Sequence, residues 1–262
     1  MEKYFGFAKE LMDHGLATER SAFEENRIYD KTIDFVEDIP FYLALAKSSK
    51  SKVLDIGCGT GRIMGPMLES DVEIVGMDLS EDMLKIAREK LQPISREVVL
   101  LQGDMRDFEI PEQFSLILIP YYSMIYMYSD EDRKKVFQCV YKHLEPGGKF
   151  AFDFDAAVET PGVSKPWLSL QDLDGNTGEI TLQTAQMKVT EENLRLMNIL
   201  YYTHKKDETI ITAESILEAT CKADHMKALL EQEGFLVEGI YGGYDYRPYD
   251  NGEVCVVVAK KS

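Results

Sequence analysis

The sequence predicts an α/β fold: a seven-stranded, mostly parallel sheet with helices on both faces, plus an inserted antiparallel β meander. Three observations carry this. Between Lys52 and about residue 155, near-continuous apolar runs of strand length alternate with amphipathic helical stretches, the pattern of a parallel sheet covered on both faces. Behind the first run, three glycines crowd into the stretch Gly57 to Gly61. From about residue 156 to 219 the rhythm changes, and three strand-like runs follow one another across short polar turns.

Residues 1–48 read as helical, with a break at Pro40 in "DIPFYLALA". "KVLDIG" is the first strand, and a short helix runs on through Leu68. "VEIVGMD" is the second strand. Ser80 then caps a helix with Glu81 and Asp82 in its first turn and an apolar stripe of Met83, Leu84, Ala87 and Leu91. "EVVLLQGD" and "FSLILIP" are the third and fourth strands. Ser129 and Asp132 resemble a capping box for a helix that buries Val136, Phe137, Val140 and Leu144. In "EPGGKFAFDFD" a Pro-Gly-Gly stop precedes the fifth strand. "GEITLQTAQMKV", "LRLMNILYYTH" and "ETIITAESILEA" form the meander. Helical spacing returns at Ala223, Met226, Leu229 and Leu230, and "FLVEGIYG" and "EVCVVVAKK" close a Rossmann-like sheet. The expected organisation is a helical N-terminal segment over 1–50, a main domain of 51–155 and 220–262, and an insert over 156–219.

Charge narrows the function. At 262 residues with a net charge of −17, the chain lacks the basic footprint of a phosphate-backbone binder, so neither nucleic acid nor an anionic membrane is expected as a partner. The four cysteines are far apart, and Cys58 sits inside the glycine loop, which reads as reduced thiols of a cytoplasmic protein. The four histidines form no HExxH-type cluster, and no metal site is expected. The N-terminus "MEKYFGFAKE" carries charge where a signal peptide needs an apolar core, and no apolar run has the length of a membrane span.

A phosphate-binding P-loop needs a lysine after its glycines, and none follows here. A dinucleotide fingerprint needs Gly-x-Gly-x-x-Gly. Here Gly57, Gly59 and Gly61 are spaced Gly-x-Gly-x-Gly, with Arg62 where the helix-packing glycine belongs. A nicotinamide-dependent oxidoreductase is therefore the lesser alternative. "VLDIGCGTGR" resembles the first motif of class I S-adenosylmethionine-dependent methyltransferases, and "VGMD", "LQGDMRDF" and "HLEPGGKFAFD" resemble the later ones in order, over residues 30 to 155. "DIPFYLALA" and "GIYGGYDYRPYD" resemble a subgroup with an antiparallel insert that includes small-molecule and sugar N-methyltransferases.

The resemblance implies S-adenosyl-L-methionine as cofactor, held by Asp55, Gly57, Cys58, Gly59 and Gly61 of the loop, Asp78 and Leu79 at the ribose, Asp104 and Met105 at the adenine, and Tyr121 as a wall. Taken singly, Asp78 is equally a helix-start carboxylate and Asp104 an exposed turn residue. Tyr122 is placed toward the acceptor by its position beyond the fourth strand, where ligands of open parallel sheets bind, and Tyr29 near the methyl group by a Tyr-Asp pair matching the family's lid. Core packing and lid anchoring are the plain alternatives for these rings, and Tyr244, Tyr246 and Arg247 belong to a loop that approaches the pocket entrance or stays clear of it.

After the fourth strand the sequence has Ile119-Pro120-Tyr121-Tyr122, without the Asn/Asp-Pro-Pro-Tyr of nucleic-acid amino-methylating enzymes. No cysteine follows a proline, as cytosine C5 chemistry requires. Both point to a small-molecule acceptor, with nitrogen favoured over oxygen because no His-carboxylate pair stands in the pocket loops. A non-catalytic cofactor-binding module on the same fold is the alternative outside enzymes. The insert caps the pocket or joins copies into a homo-oligomer.

Overall fold

In the computed structural model, residues 2–20, 35–94, 97–157, 160–173 and 178–262 are described. Chain order begins with α1 (Gly6–Asp13), β1 (Thr18–Glu19), α2 (Ile39–Lys47), β2 (Val53–Ile56), α3 (Met64–Glu69), β3 (Ile74–Asp78) and α4 (Glu81–Leu91). It continues with β4 (Val99–Gln102), β5 (Phe114–Ile119), a 3-10 turn at Ser123–Tyr126, α5 (Asp130–His143) and β6 (Leu144–Asp155). Strands β7 (Gly162–Val163), β8 (Trp167–Leu173), β9 (Ile180–Val189), β10 (Leu194–Lys205) and β11 (Glu208–Ala219) follow, then α6 (Ala223–Gln232), β12 (Phe235–Tyr241) and β13 (Val254–Lys261). The chain divides into two compact units, Met1–Glu25 with Glu159–Ala219, and Asn26–Val158 with Thr220–Ser262.

In the larger unit the seven apolar runs make one sheet of order β12-β13-β6-β5-β2-β3-β4. Strands β6, β5, β2, β3 and β4 are parallel, and β13 is antiparallel to both β6 and β12. Alternate residues of each strand enter two cores. Ile56, Met77, Ile119 and Phe152 pack against α5 and α6 through Phe137, Val140, Met226 and Leu230. Val53, Leu118 and Val256 pack against α2, α3 and α4 through Phe41, Met67 and Leu84. The helix starts follow local chemistry. Ser80 Oγ accepts from the Met83 amide and Ser129 Oγ from the Asp132 amide, satisfying donors that the first helical turn leaves free.

Two local expectations change. Pro40 does not interrupt a helix but occupies the first turn of α2, where its missing N–H is harmless. The Pro-Gly-Gly stretch does not separate helix from strand. β6 begins at Leu144, directly after α5, and the pairing with β5 slips between Phe114 and Leu116, with Gly147 at φ +76°.

In the smaller unit the meander is the antiparallel set β9, β10 and β11, extended to six strands by β7 and β8 on β9 and by β1, which is parallel to β11. These added strands are two to seven residues long and carry little alternation of their own. Helix α1 buries Ala8 and Leu11 against Leu200 and Ala213, and Asn198 accepts from the Phe5 amide at 2.8 Å. The first 50 residues are thus not one helical segment. Their start belongs with the six-stranded sheet, and α2 belongs with the seven-stranded one.

Candidate cofactor and acceptor site

The order of the seven-stranded sheet reverses between β2 and β5, which makes their carboxyl ends the switch point where an open α/β sheet binds ligands. The glycine loop leaves β2 there. Gly57 has φ +72°, and a Cβ on it would lie 2.9 Å from Ser123 Oγ. Gly61 has φ +80°, and its Cβ would meet Leu91 of α4 at 3.0 Å, so this glycine performs the close helix packing that Arg62 cannot. The loop's amides are spent inside the protein. Gly57 and Cys58 donate to the Met77 carbonyl at 2.7 and 3.1 Å, Gly61 to the Cys58 carbonyl at 2.9 Å, and Gly59 to Asp78 Oδ2 at 2.8 Å. Cys58 is buried in the core, and burial pushes its thiol far above the usual range.

Two carboxylates stand beside the loop. Asp78 ends β3, and its second oxygen accepts from the Ser80 amide at 2.8 Å, so one side chain ties the glycine loop to the start of α4. Burial raises its pKa, against the pull of these backbone donors. Asp55 lies on β2 at 1% exposure, and neither of its oxygens has a hydrogen-bond partner among the described residues. Burial pushes its carboxyl up to about 8; Arg62 opposes the shift and Asp78 adds to it. Leu79, next to Asp78, is 66% exposed. Asp104 sits in a part-exposed turn after β4, where the Arg106 guanidinium grips both its oxygens, Nη2 to Oδ2 at 2.6 Å, and holds its carboxyl below the usual range. Met105 packs its side chain on the sheet core.

At the end of β5, Tyr121 and Tyr122 have φ of +55° and +58°. Bulky residues held in this left-handed region cost about 1–3 kcal/mol each and persist where the surroundings over-determine them. Here the restraint is Asp153 of β6, fully buried, which accepts from the Tyr121 amide at 2.9 Å and the Tyr122 amide at 2.6 Å. The Tyr42 hydroxyl donates to the same carboxylate. Arg62 lies 4.9 Å from the Tyr121 ring centre, where a cation–π contact forms. It also makes a two-pronged bridge to buried Asp38 at 2.6 and 2.7 Å and donates to the Phe35 carbonyl at 3.0 Å. Phe35 contacts both Tyr121 and Tyr244, with ring centres 5.6 and 5.7 Å apart. The Tyr244 hydroxyl is buried beside that of Tyr122 in a geometry short of a hydrogen bond. Burial pushes the Tyr122 hydroxyl up to about 12.

The fold therefore brings Asp55, Gly57, Cys58, Gly59, Gly61, Asp78, Leu79, Tyr121 and Tyr122 to the carboxyl ends of β2, β3 and β5, with Asp104 and Met105 following β4. Tyr29 lies outside the described residues. Tyr244 joins the corner, whereas Tyr246 is exposed and packs on Phe41 with ring centres 4.7 Å apart. Sequence reasoning missed Asp153 and Asp38. The signal for Asp153 was an acid inside "FAFDFD", in a sheet already expected to be covered on both faces. A separate polar cavity of about 660 Å³, lined by Lys47, Lys52, Glu73, Glu112 and Glu145, lies at the amino ends of the strands, away from these groups.

The family described as a methyltransferase domain matches residues 53–148. The chain is 36% identical over 115 residues to the putative methyltransferase YqeM of Bacillus subtilis (strain 168), covering 44% of this chain and 46% of that protein. It is 37% identical over 98 residues to the dTDP-3-amino-3,4,6-trideoxy-alpha-D-glucopyranose N,N-dimethyltransferase of Streptomyces venezuelae, covering 37% and 40%. These matches span less than half the length of either relative. A crystal structure of an S-adenosylmethionine-dependent methyltransferase from Clostridium acetobutylicum ATCC 824 superimposes with a TM-score of 0.76 at 19% identity, covering 90% of this chain and 96% of the other. Residues 53–148 thus match a methyltransferase domain in sequence, and the chain shares the Rossmann-like α/β fold of that solved methyltransferase.

Proposed function

We propose that this protein is an S-adenosylmethionine-dependent methyltransferase that methylates an amine nitrogen of a small molecule, an amino sugar being the class favoured by its relatives. The observation that carries this reading is Asp55, a buried carboxylate without a partner beneath the glycine loop. A carboxyl buried there stays protonated unless a cation joins it, and the ammonium of the cofactor's amino-acid end is such a cation. The same surroundings disfavour a dinucleotide. Asp38, Asp55 and Asp78 cluster near the loop, Arg62 is held by Asp38, and the amides of Gly57, Cys58, Gly59 and Gly61 are already donated. A pyrophosphate needs free amides and no acids beside it.

In this reading Asp78 keeps lone pairs for the ribose diol after taking its two backbone donors. Exposed Leu79 offers an apolar face to the adenine, and the Met105 backbone borders that ring. Adenine-amine recognition by Asp104 has to share its oxygens with Arg106. Tyr121 walls the cofactor, Tyr122 faces the acceptor, and Tyr29 belongs near the methyl group, while Phe35 and Asp38 hold Arg62 beside Tyr121. The methyltransferase domain is 51–155 with 220–262, and 156–219 is its insert. Bound S-adenosyl-L-methionine supplies a methyl group already activated on a sulfonium, so the protein's part is alignment and exclusion of water.

Nitrogen is favoured because a hydroxyl acceptor needs a base, and the two histidines of the larger unit are engaged elsewhere. His143 donates through Nδ1 to the Cys139 carbonyl and accepts at Nε2 from the Ile110 amide. His225 pairs with exposed Asp130, and His14 and His204 belong to the smaller unit. Four unbridged cysteines fit a reducing, cytoplasmic setting.

The test is calorimetry and thermal unfolding with S-adenosylhomocysteine and, separately, NAD. At a hundred times its dissociation constant the former should stabilise the fold by about 2.7 kcal/mol, and NAD should do nothing. Stabilisation by NAD alone would overturn the cofactor assignment. A panel of dTDP-linked amino sugars and simple amines, followed by mass spectrometry, should then yield methylated product. Tight cofactor binding with no product from any amine or hydroxyl would favour the non-catalytic module instead.

A further inference from the structure

We infer that Asp153 is a positioning residue of this site: its buried carboxylate accepts both amides of the Tyr121–Tyr122 corner and thereby fixes the direction in which the two rings leave the end of β5. The inference rests on the reading of that corner as the acceptor side of the site. The two successive amides, each on a residue of positive φ, converge on the two oxygens of one carboxylate. That carboxylate belongs to the neighbouring strand, since β6 lies beside β5 and Ile119 is paired with Phe152.

The arrangement links three elements. Asp153 receives the corner from one side and the Tyr42 hydroxyl of α2 from another, and Asp38 at the start of α2 holds the Arg62 that stacks on Tyr121. A one-ångström error in an acceptor-facing ring is enough to spoil an in-line transfer, so a corner held at two amides has a clear use. An asparagine could not replace the acid. It offers one acceptor oxygen, and its amide group would face an N–H donor.

The charge on Asp153 opposes folding rather than favouring it. Burial pushes its carboxyl up to about 6, against the pull of Tyr42 and the two corner amides. The groups facing it are Asp38 and Tyr42 from α2 and its start, Tyr122 from the corner, Tyr244 from the β12–β13 loop and Cys255 from β13. A purely structural residue would be expected to stabilise the fold at neutral pH. One that holds a strained corner against its own desolvation need not.

The experiment follows the Tyr121 and Tyr122 amide and ring resonances by NMR in the full chain, with and without S-adenosylhomocysteine, across the range around pH 6. In the wild type both amide signals should titrate together with a midpoint near the Asp153 value of about 6. In Asp153→Asn that titration should vanish and the Tyr121 and Tyr122 rings should move, while the unfolding temperature at pH 7.5 is unchanged or higher. Cofactor-product affinity should stay within about threefold. Tyr42→Phe should keep the titration, and it guards against a misfolded Asn variant. Amides that do not titrate, or an Asn variant that loses stability with its rings unmoved, would overturn the inference. Absence of S-adenosylhomocysteine binding in the wild type would instead strike the methyltransferase reading and leave the amide titration to decide the corner.

Discussion

Two buried acids, Glu214 in the six-stranded sheet and Asp55 in the seven-stranded one, have opposite surroundings. In the six-stranded sheet, buried Asn198 accepts from the Phe5 amide and donates to the Lys3 carbonyl and Ser215 Oγ, and buried Glu214 accepts from the Tyr201 hydroxyl at 2.8 Å. In the seven-stranded sheet, Asp153 is likewise satisfied, but Asp55, two strands away, is buried with nothing to bond. Full satisfaction is the rule for groups that hold a fold together. An orphaned carboxylate at the switch point is where that rule is suspended, and the cofactor proposed above would supply the missing cation. Raised pKa values alone do not separate the two cases, because burial raises Glu214 and Asp153 as well.

The sharpest way to break this comparison is Asp55→Asn. Removing the counter-charge from a buried ammonium should weaken S-adenosylhomocysteine binding by about 3 kcal/mol or more, read by calorimetry, while the free protein becomes more stable. The sign follows from linkage. Folded Asp55 keeps its proton to about pH 8, and in the unfolded chain it loses it near about pH 4, so its contribution to stability falls as pH rises across that window. The stability advantage of the variant should therefore grow from about pH 4 to about pH 8. Wild-type affinity should rise over the upper part of that range, as the carboxylate forms. Unchanged affinity with lowered stability would make Asp55 an ordinary core residue.

Asp78→Ala comes next. It removes the ribose acceptors together with the tie between Gly59 and Ser80, and should weaken cofactor binding by about 1.5–3 kcal/mol. If affinity is retained, the carboxylate serves only the start of α4. Tyr122→Ala should leave cofactor affinity nearly intact and lower turnover of the acceptor by about tenfold, near 1.4 kcal/mol, if the proposed contact with the acceptor is made. Equal turnover in the variant would return Tyr122 to the core. The smallest effect belongs to the other sheet. Glu214→Gln keeps an acceptor for Tyr201 and should shift stability by less than about 1 kcal/mol, with no change in cofactor affinity. A cofactor effect as large as that of Asp78→Ala would erase the distinction between the two sheets.

The strands and helix starts could be read in advance because their determinants are local. The apolar stripe Met83, Leu84, Ala87 and Leu91 is buried as its spacing requires, and the polar turns "TEEN" and "KKD" close the meander strands where they stand in the sequence. The strands β1, β7 and β8 could not be read. Two to seven residues of weak alternation become a strand only beside a longer partner. At the site, motif order pointed to the glycines, Asp55 and Asp78, whereas Asp153 sat unnoticed in an alternating strand.

By itself the sequence determined the alternation of strand and helix and the left-handed glycine turns after β2. Each depends on residues within a few positions of one another. Only the tertiary structure decided that Asp55 would be left without a partner, that Arg62 would be taken by Asp38, and that Asp153 would hold Tyr121 and Tyr122 from about thirty residues away. These are contacts between neighbouring strands and across the switch point, and which groups meet there is set by strand order and register, quantities that no local pattern encodes.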